Sequence, residues 1–233
     1  MMRWLHPTDP PEAFPDVSEA LAEPNGLLCA GGDLSPQRLL AAYRRGIFPW
    51  YSEGQPILWW SPDPRMVLHP EELRVTRSLR KSLRNRGFRV TFDTCFAEVM
   101  AQCASSGTRA SGGTWILGEM RDAYLELHRL GFAHSVEVWL EQRLVGGLYG
   151  LELGRVFFGE SMFSSASDAS KVALCHQCEA LLGRGIELID CQVASEHLHS
   201  LGARPIPRAG FLARLRRGIP ETALRIRHTP APP

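Results

Sequence analysis

Apolar and polar positions change rhythm several times along the chain, and the changes mark out its elements. Over residues 155–163, β-branched and aromatic side chains cluster as in a strand. Alternation with period two puts Val156, Phe158, Glu160 and Met162 on one face of it. A carboxylate between an aromatic ring and a thioether is costly unless a cation docks beside it. Helical spacing follows through Lys171, Leu174, Cys178 and Leu181, with Ser167 or Asp168 as the cap and Gly183 and Gly185 as the stop. Residues 187–192 then read as a strand with Asp190 and Gln192 on one face. Strand, helix, strand is a right-handed crossover that feeds a parallel pairing. Sites in such sheets lie at the carboxyl ends of the strands, where Glu160, Asp190 and Gln192 fall.

The rest of the chain is read in the same way. Residues 1–24 are rich in proline and glutamate and predict loop or extended chain. Ser35 before Pro36 predicts a helix start, and Gly46 closes that helix. Residues 46–65 hold Phe48, Trp50, Tyr51, Trp59 and Trp60 among four prolines, which argues against regular structure. These aromatics are either a small core under a loop or a stacking platform for nucleobases, with Trp50 as the exposed ring. Strands are expected at 65–69 and 88–92 around a helix, then a short helix at 95–103 and a small, polar loop at 105–113. A helix at 118–130 places Met120, Ala123, Tyr124 and Leu127 on one face. Residues 134–140 and 144–151 predict a hairpin. A short helix, a strand at 204–206 and a helix at 209–217 complete the pattern, with residues 218–233 as a loose tail.

Length and composition narrow the class. At 233 residues and 44% apolar content the chain can bury a good core. No apolar run approaches the roughly 18 residues of a membrane span, and the N-terminus lacks a secretory pattern, so a cytoplasmic protein is expected. The six cysteines are scattered, and the one C-x-x-C, Cys175 and Cys178, has no second pair, so no metal site is expected. Net charge is only +1, but residues 65–89 carry eight basic side chains against Glu71 and Glu72. Arg77, Arg80, Lys81 and Arg84 fall on one helical stripe. Such a stripe is either a solvated face or a polyanion-binding one.

The predicted order from residue 134 is three antiparallel strands, helix, strand, helix, strand. That is the layout of acyltransferases related to the N-acetyltransferases. The fold class is therefore α/β (α+β), with an acetyltransferase-like (GNAT-like) arrangement of these elements. Coenzyme A users hold its pyrophosphate on a glycine-rich turn before the long helix. Here that turn is SSASDAS, which argues against a coenzyme A site.

The stretches GGDLSP, RGIFPW, ILWWSPDPR, GTWI, AHSVEVW, LVGGLYG, FFGESMFS, ASK and LIDCQ, in this order between residues 23 and 211, resemble the leucyl/phenylalanyl-tRNA–protein transferases. The resemblance implies an aminoacyltransferase that moves Leu, Phe or, less well, Met from aminoacyl-tRNA to the N-terminal Arg or Lys of acceptor proteins. Those proteins are thereby marked for the N-degron route. It implies a small N-terminal α+β domain at 1–63, a larger GNAT-like catalytic domain at 64–233, no cofactor and no metal, and a monomer is expected. By the same resemblance Trp50 and Trp115 hold the terminal adenosine. Tyr124, Leu148, Phe157, Met162, Leu174 and Ile189 surround the donor amino acid; on their charge and spacing, Arg77, Arg80, Lys81 and Arg84 are then expected to meet the tRNA phosphates. Asp190 and Gln192 match the catalytic pair and Glu160 the acidic group beside the acceptor. Leu148 stands where relatives can have Met, and Gln177 and Leu181 where an aromatic residue can line the pocket.

Each role has a plain structural alternative. Asp190 can be an ion pair with Lys171 or Arg208, Glu160 an internal salt bridge, and Met162 core packing. Under the catalytic reading, Glu160 and Asp190 converge on one point and hold the two positive groups of an N-terminal arginine. A coenzyme A-dependent N-acetyltransferase and a non-catalytic RNA-binding module are the competing classes.

Overall fold

The computed structural model describes residues 2–111, 116 and 118–224. Trp115, the end of the 105–113 segment and the tail beyond residue 224 lie outside the described residues.

Two sheets organise the chain. The smaller is built from β1 (Arg3–Leu5), β2 (Leu27–Gly31), β3 (Phe48–Pro49) and β4 (Leu58–Trp60), in the order β1-β2-β4-β3. Helix α1 (Pro36–Arg44) lies between β2 and β3 in sequence, and its N-cap Ser35 accepts from the Arg38 N–H. The first 24 residues are not free loop. Strand β1 pairs in parallel with β2, and the buried Arg38 guanidinium donates to the carbonyls of Pro7, Asp9 and Pro10. The proline-rich segment also contains strands, contrary to its composition. Pro49 sits on the edge strand β3, where no donor is missed, and proline-free β4 takes the inner place. Trp59 of β4 is fully buried and donates to Gly31 O at 2.8 Å.

The larger sheet follows. Its elements are β5 (Arg65–Leu68), α2 (Arg77–Asn85), β6 (Phe88–Phe92), α3 (Phe96–Ser111), α4 (Gly118–Arg129), β7 (Ala133–Leu140), β8 (Arg143–Leu153), β9 (Val156–Ser164), α5 (Ala169–Gly183), β10 (Leu188–Gln192), α6 (Glu196–Ser200), β11 (Arg204–Ile206) and α7 (Arg208–Gly218). Strand order is β11-β5-β10-β9-β8-β7-β6. Strands β7, β8 and β9 form the antiparallel meander, and α5 carries the chain across to β10, which pairs in parallel with β9. Strand β5 is inserted antiparallel between β10 and β11. Helix α3 runs on to Ser111 through the segment expected as loop. The hydroxyls of Ser105 and Ser106 bond back to Gln102 O, so these polar residues are accommodated within the helix. Of the two expected caps, Asp168 starts α5, without a side-chain capping bond. Asp168 occupies the cap position with φ 67°, and its carboxylate is turned to Ser82 and Lys171.

One apolar cluster fills the face of the large sheet under α1, α3, α4 and α7, and runs into the small sheet. The other fills the opposite face under α5 and α2. Gly146 permits the α5 side of this packing, because a Cβ there would come within 2.5 Å of Ala169 Cβ.

Candidate active site

Strand β9 does not keep its alternation. Gly159 pairs with Gly150 and Ser161 with Tyr149, so Glu160 is the extra residue of a β-bulge. Gly150 faces this irregularity, and a Cβ there would strike Phe158 O at 2.1 Å. Before the bulge, Val156 and Phe158 belong to the α3/α4 face and Phe157 to the α5 face. After it, Met162 lies on the α5 face and Phe163 on the other. The single face expected for Phe158, Glu160 and Met162 is thus divided at Glu160.

Glu160 is partly buried and held by hydroxyls. Tyr43 donates to Oε1 at 2.7 Å and Tyr124 to Oε2 at 3.0 Å, and the two hydroxyls also contact each other. No cation pairs with Glu160 among the described residues, so it forms no internal salt bridge there. Burial pushes its carboxyl up to about 7; the two tyrosines oppose this, Asp190 adds to it and Arg65 opposes it. Burial, then the neighbouring Glu160 charge, raises both tyrosine hydroxyls well above their ordinary range, so they remain protonated donors.

Gln192 approaches from β10, and its Nε2 donates to Glu160 Oε1 at 3.5 Å. Its backbone is left-handed, φ 56°, beyond a register shift between Asp190 and Gln192. Asp190 behaves differently from the expectation. It is 0% exposed, and both its oxygens are taken by Arg65, through Nε at 2.8 Å and Nη2 at 2.7 Å. Its ion-pair partner is therefore Arg65. Lys171 pairs with Asp168, and Arg208 donates to Ser61 O. With its oxygens occupied, Asp190 does not converge with Glu160 on an open point.

Two cavities meet at Glu160 and Gln192. One, of about 300 Å³, is walled by Leu148, Phe157, Met162, Leu174 and Ile189, and α6 adds Leu198. The other, of about 320 Å³, is lined by Phe48, Pro49, Trp50 and Val193. Trp50 is 45% exposed, whereas Phe48, Tyr51 and Trp59 are buried. Asp190 lines neither cavity.

The site thus joins an apolar wall and an exposed indole through the polar pair Glu160 and Gln192. The family model described as leucyl/phenylalanyl-tRNA protein transferase matches residues 67–216, and that of its N-terminal domain matches residues 32–63. The chain belongs to this family. Leucyl/phenylalanyl-tRNA–protein transferases of Azoarcus sp. and Stutzerimonas stutzeri are 63% and 61% identical to it, over 217 and 211 residues. The alignments cover 93% of this chain and 91% of the Azoarcus protein, and 91% and 92% for the second pair. Among solved structures, a GCN5-related N-acetyltransferase from Kribbella flavida has a TM-score of 0.40 at 11% identity, covering 71% of this chain and 58% of that one. A functionally unknown conserved protein from Staphylococcus epidermidis has a TM-score of 0.44 at 9% identity, covering 78% and 68%.

The transferase is an aminoacyltransferase, and its remaining residues can be placed on that footing. Tyr124 stands at Glu160 rather than in the apolar wall. Gln177 and Leu181 are buried behind that wall and do not line it. Arg77, Arg80, Lys81 and Arg84 are all exposed on α2, and none makes an ion pair with a described residue. Burial raises the thiols of Cys175 and Cys178 to about 11 and about 12, which keeps both protonated. Among the described residues, no cluster of His, Cys, Asp and Glu could hold a metal ion. Sequence reasoning missed Tyr43, Arg65 and Tyr149. Tyr149 is buried edge-on to Tyr124, and its hydroxyl has no hydrogen-bond partner among the described residues.

Proposed function

We propose that this transferase moves Leu, Phe or Met from aminoacyl-tRNA to the N-terminal Arg or Lys of acceptor proteins in the cytoplasm, as a monomer and without a cofactor, and so marks them for N-degron degradation. The observation that carries the reading is that Glu160 and Gln192 lie at the junction of the two cavities. The apolar cavity suits an uncharged donor side chain of leucine or phenylalanine size. Trp50, with Trp115, suits the terminal adenine. Arg77, Arg80, Lys81 and Arg84 suit the phosphates of the tRNA. The two-domain reading, 1–63 and 64–233, fits the two sheets, although one apolar cluster joins them. Among the described residues no helix is long and apolar enough to cross a membrane.

The chemistry needs alignment more than activation, since an aminoacyl ester is already reactive. The acceptor amine attacks the ester carbonyl, a C–N bond forms, the C–O bond to the ribose breaks, and the ribose oxygen leaves with a proton. Glu160, ionised, faces the positive end of the acceptor and can take the ammonium proton, because its own affinity for protons lies near neutrality. The Nε2 of Gln192 is turned to Glu160, which leaves the amide oxygen free to accept from the attacking amine. Asp190 serves this pair from behind.

The test is transfer of radiolabelled leucine from Leu-tRNA to a casein-like acceptor that begins with Arg. Label in the protein is expected. Label that stays on bound tRNA would leave an RNA-binding module instead.

A further inference from the structure

We propose that Arg65 is a positioning residue for the transfer reaction, which it serves by fixing Gln192 through Asp190. The inference rests on the role given to Gln192 above. Arg65 is 0% exposed, and each part of its guanidinium is engaged. Nε and Nη2 grip the two oxygens of Asp190, and Nη1 donates to Gly46 O at 3.1 Å. The plane lies between the rings of Phe48 and Phe211, 4.7 Å from each centroid. A fork held on both edges and both faces has very little freedom.

That rigidity reaches Gln192 through one atom. Asp190 Oδ1 accepts from Arg65 Nε and also from the backbone N–H of Gln192 at 3.0 Å. The second bond matters because the strand is irregular at this point. The register shift after Asp190 interrupts the ladder to β5, and φ 56° is an unfavourable conformation for a residue with a Cβ. The Asp190 carboxylate supplies an acceptor that the ladder does not, and Gln192 is held where its amide meets Glu160. Arg65 also touches Gly46 and Phe48, just ahead of Trp50, so one side chain references both cavities to each other.

Arg65→Lys keeps the charge but not the fork. The measurements are its melting transition, kcat, and KM for Leu-tRNA and for an Arg-starting peptide. A preserved transition, unchanged KM values and a kcat at least about tenfold lower are expected, the pattern of an interaction that counts in the transition state. Combining Arg65→Lys with Gln192→Ala should give a protein no slower than Gln192→Ala alone, because residues that act as one unit are not additive. A purely structural Arg65 would multiply the two losses. Parental kcat in Arg65→Lys, or multiplied losses, overturns the proposal. If Arg65→Lys does not fold, Arg65→Met with Asp190→Leu removes the buried ions together, an exchange that folds often tolerate. A folded and slow double variant supports the proposal; a folded and fast one, or failure of both to fold, overturns it. Parental rates in Gln192→Ala itself would sink the role of Gln192, and this inference with it. A slow Gln192→Ala beside fast Arg65 variants sinks this inference alone.

Discussion

The hydroxyl of Tyr43, on α1, donates to Glu160 Oε1 at 2.7 Å across 117 residues of sequence. It stabilises the ionised carboxylate, so its loss must raise the proton affinity of Glu160 further. Acceptor use, read as kcat/KM with saturating donor, is therefore expected to fall as pH drops through about 7. In Tyr43→Phe that limb should move to higher pH. A limb that stays in place would separate Glu160 from the titration. The linkage to stability has the opposite sense. The folded carboxyl is raised above its ordinary 4.5, so its contribution is fully present below that value and is lost as pH rises through about 7. Glu160→Gln should thus gain in melting temperature over the parent between pH 5 and pH 8, which thermal melts at the two ends can read.

Trp50→Ala should cost about 1–3 kcal/mol of aminoacyl-tRNA binding. Its melting transition should survive, because the ring is 45% exposed. Trp59→Ala makes the contrast: that ring is fully buried, and its loss should cost about 3–5 kcal/mol of stability. Binding titrations and melts on both variants check the pair.

Met162 faces the apolar cavity beside Leu174 and Ile189. Met162→Lys should abolish transfer, since the charged chain would fill the apolar space and be drawn to Glu160, which lines the same cavity. Met162→Leu keeps the volume of the wall but branches it, so it should shift the Leu-to-Phe ratio while transfer persists. Donor competition assays measure it, and an unchanged ratio would place Met162 outside the donor site.

The exposed cations of α2 should contact phosphates rather than bases. Replacing Arg77 and Arg80 by Ala should then flatten the slope of log K against log salt by about two units. Filter binding across a salt series gives the slope, and a parental slope would remove α2 from the footprint.

Much of the fold was legible because it is written locally. The meander, the crossover helix and the parallel return of β10 follow from periodicity and glycine stops. What escaped is of two kinds. The first is irregularity inside strands. Period two joined Phe158, Glu160 and Met162, and the structure parts them at Glu160. Gly159 beside it and Gly150 opposite were the available signal, since glycine within a strand often marks a bulge. The second is long-range pairing. Tyr43 is one more apolar position of the helix that begins at Pro36, and Arg65 is one of eight basic residues between 65 and 89. Nothing within a few residues of either announces Glu160 or Asp190, which lie 117 and 125 positions away. The proline-rich segment misled for a related reason: its prolines sit on an edge or in turns, so they leave β4 intact.

The bulge at Glu160 gives β9 two independent addresses. Met162 answers to the apolar cavity and α5, whereas Phe158, two positions before the bulge, packs edge-on to Tyr43 on the opposite side of the sheet. Under the proposed roles, a laboratory selection for new donor amino acids can vary the residues after Glu160 while Glu160 and its tyrosines stay untouched. The same feature makes the strand intolerant of a change in length. Deleting the extra residue would restore strict alternation with Met162 still on the α5 face, but it would abolish the one position at which a carboxylate leaves the ladder to meet Tyr43 and Tyr124, a loss of chemistry without a loss of packing.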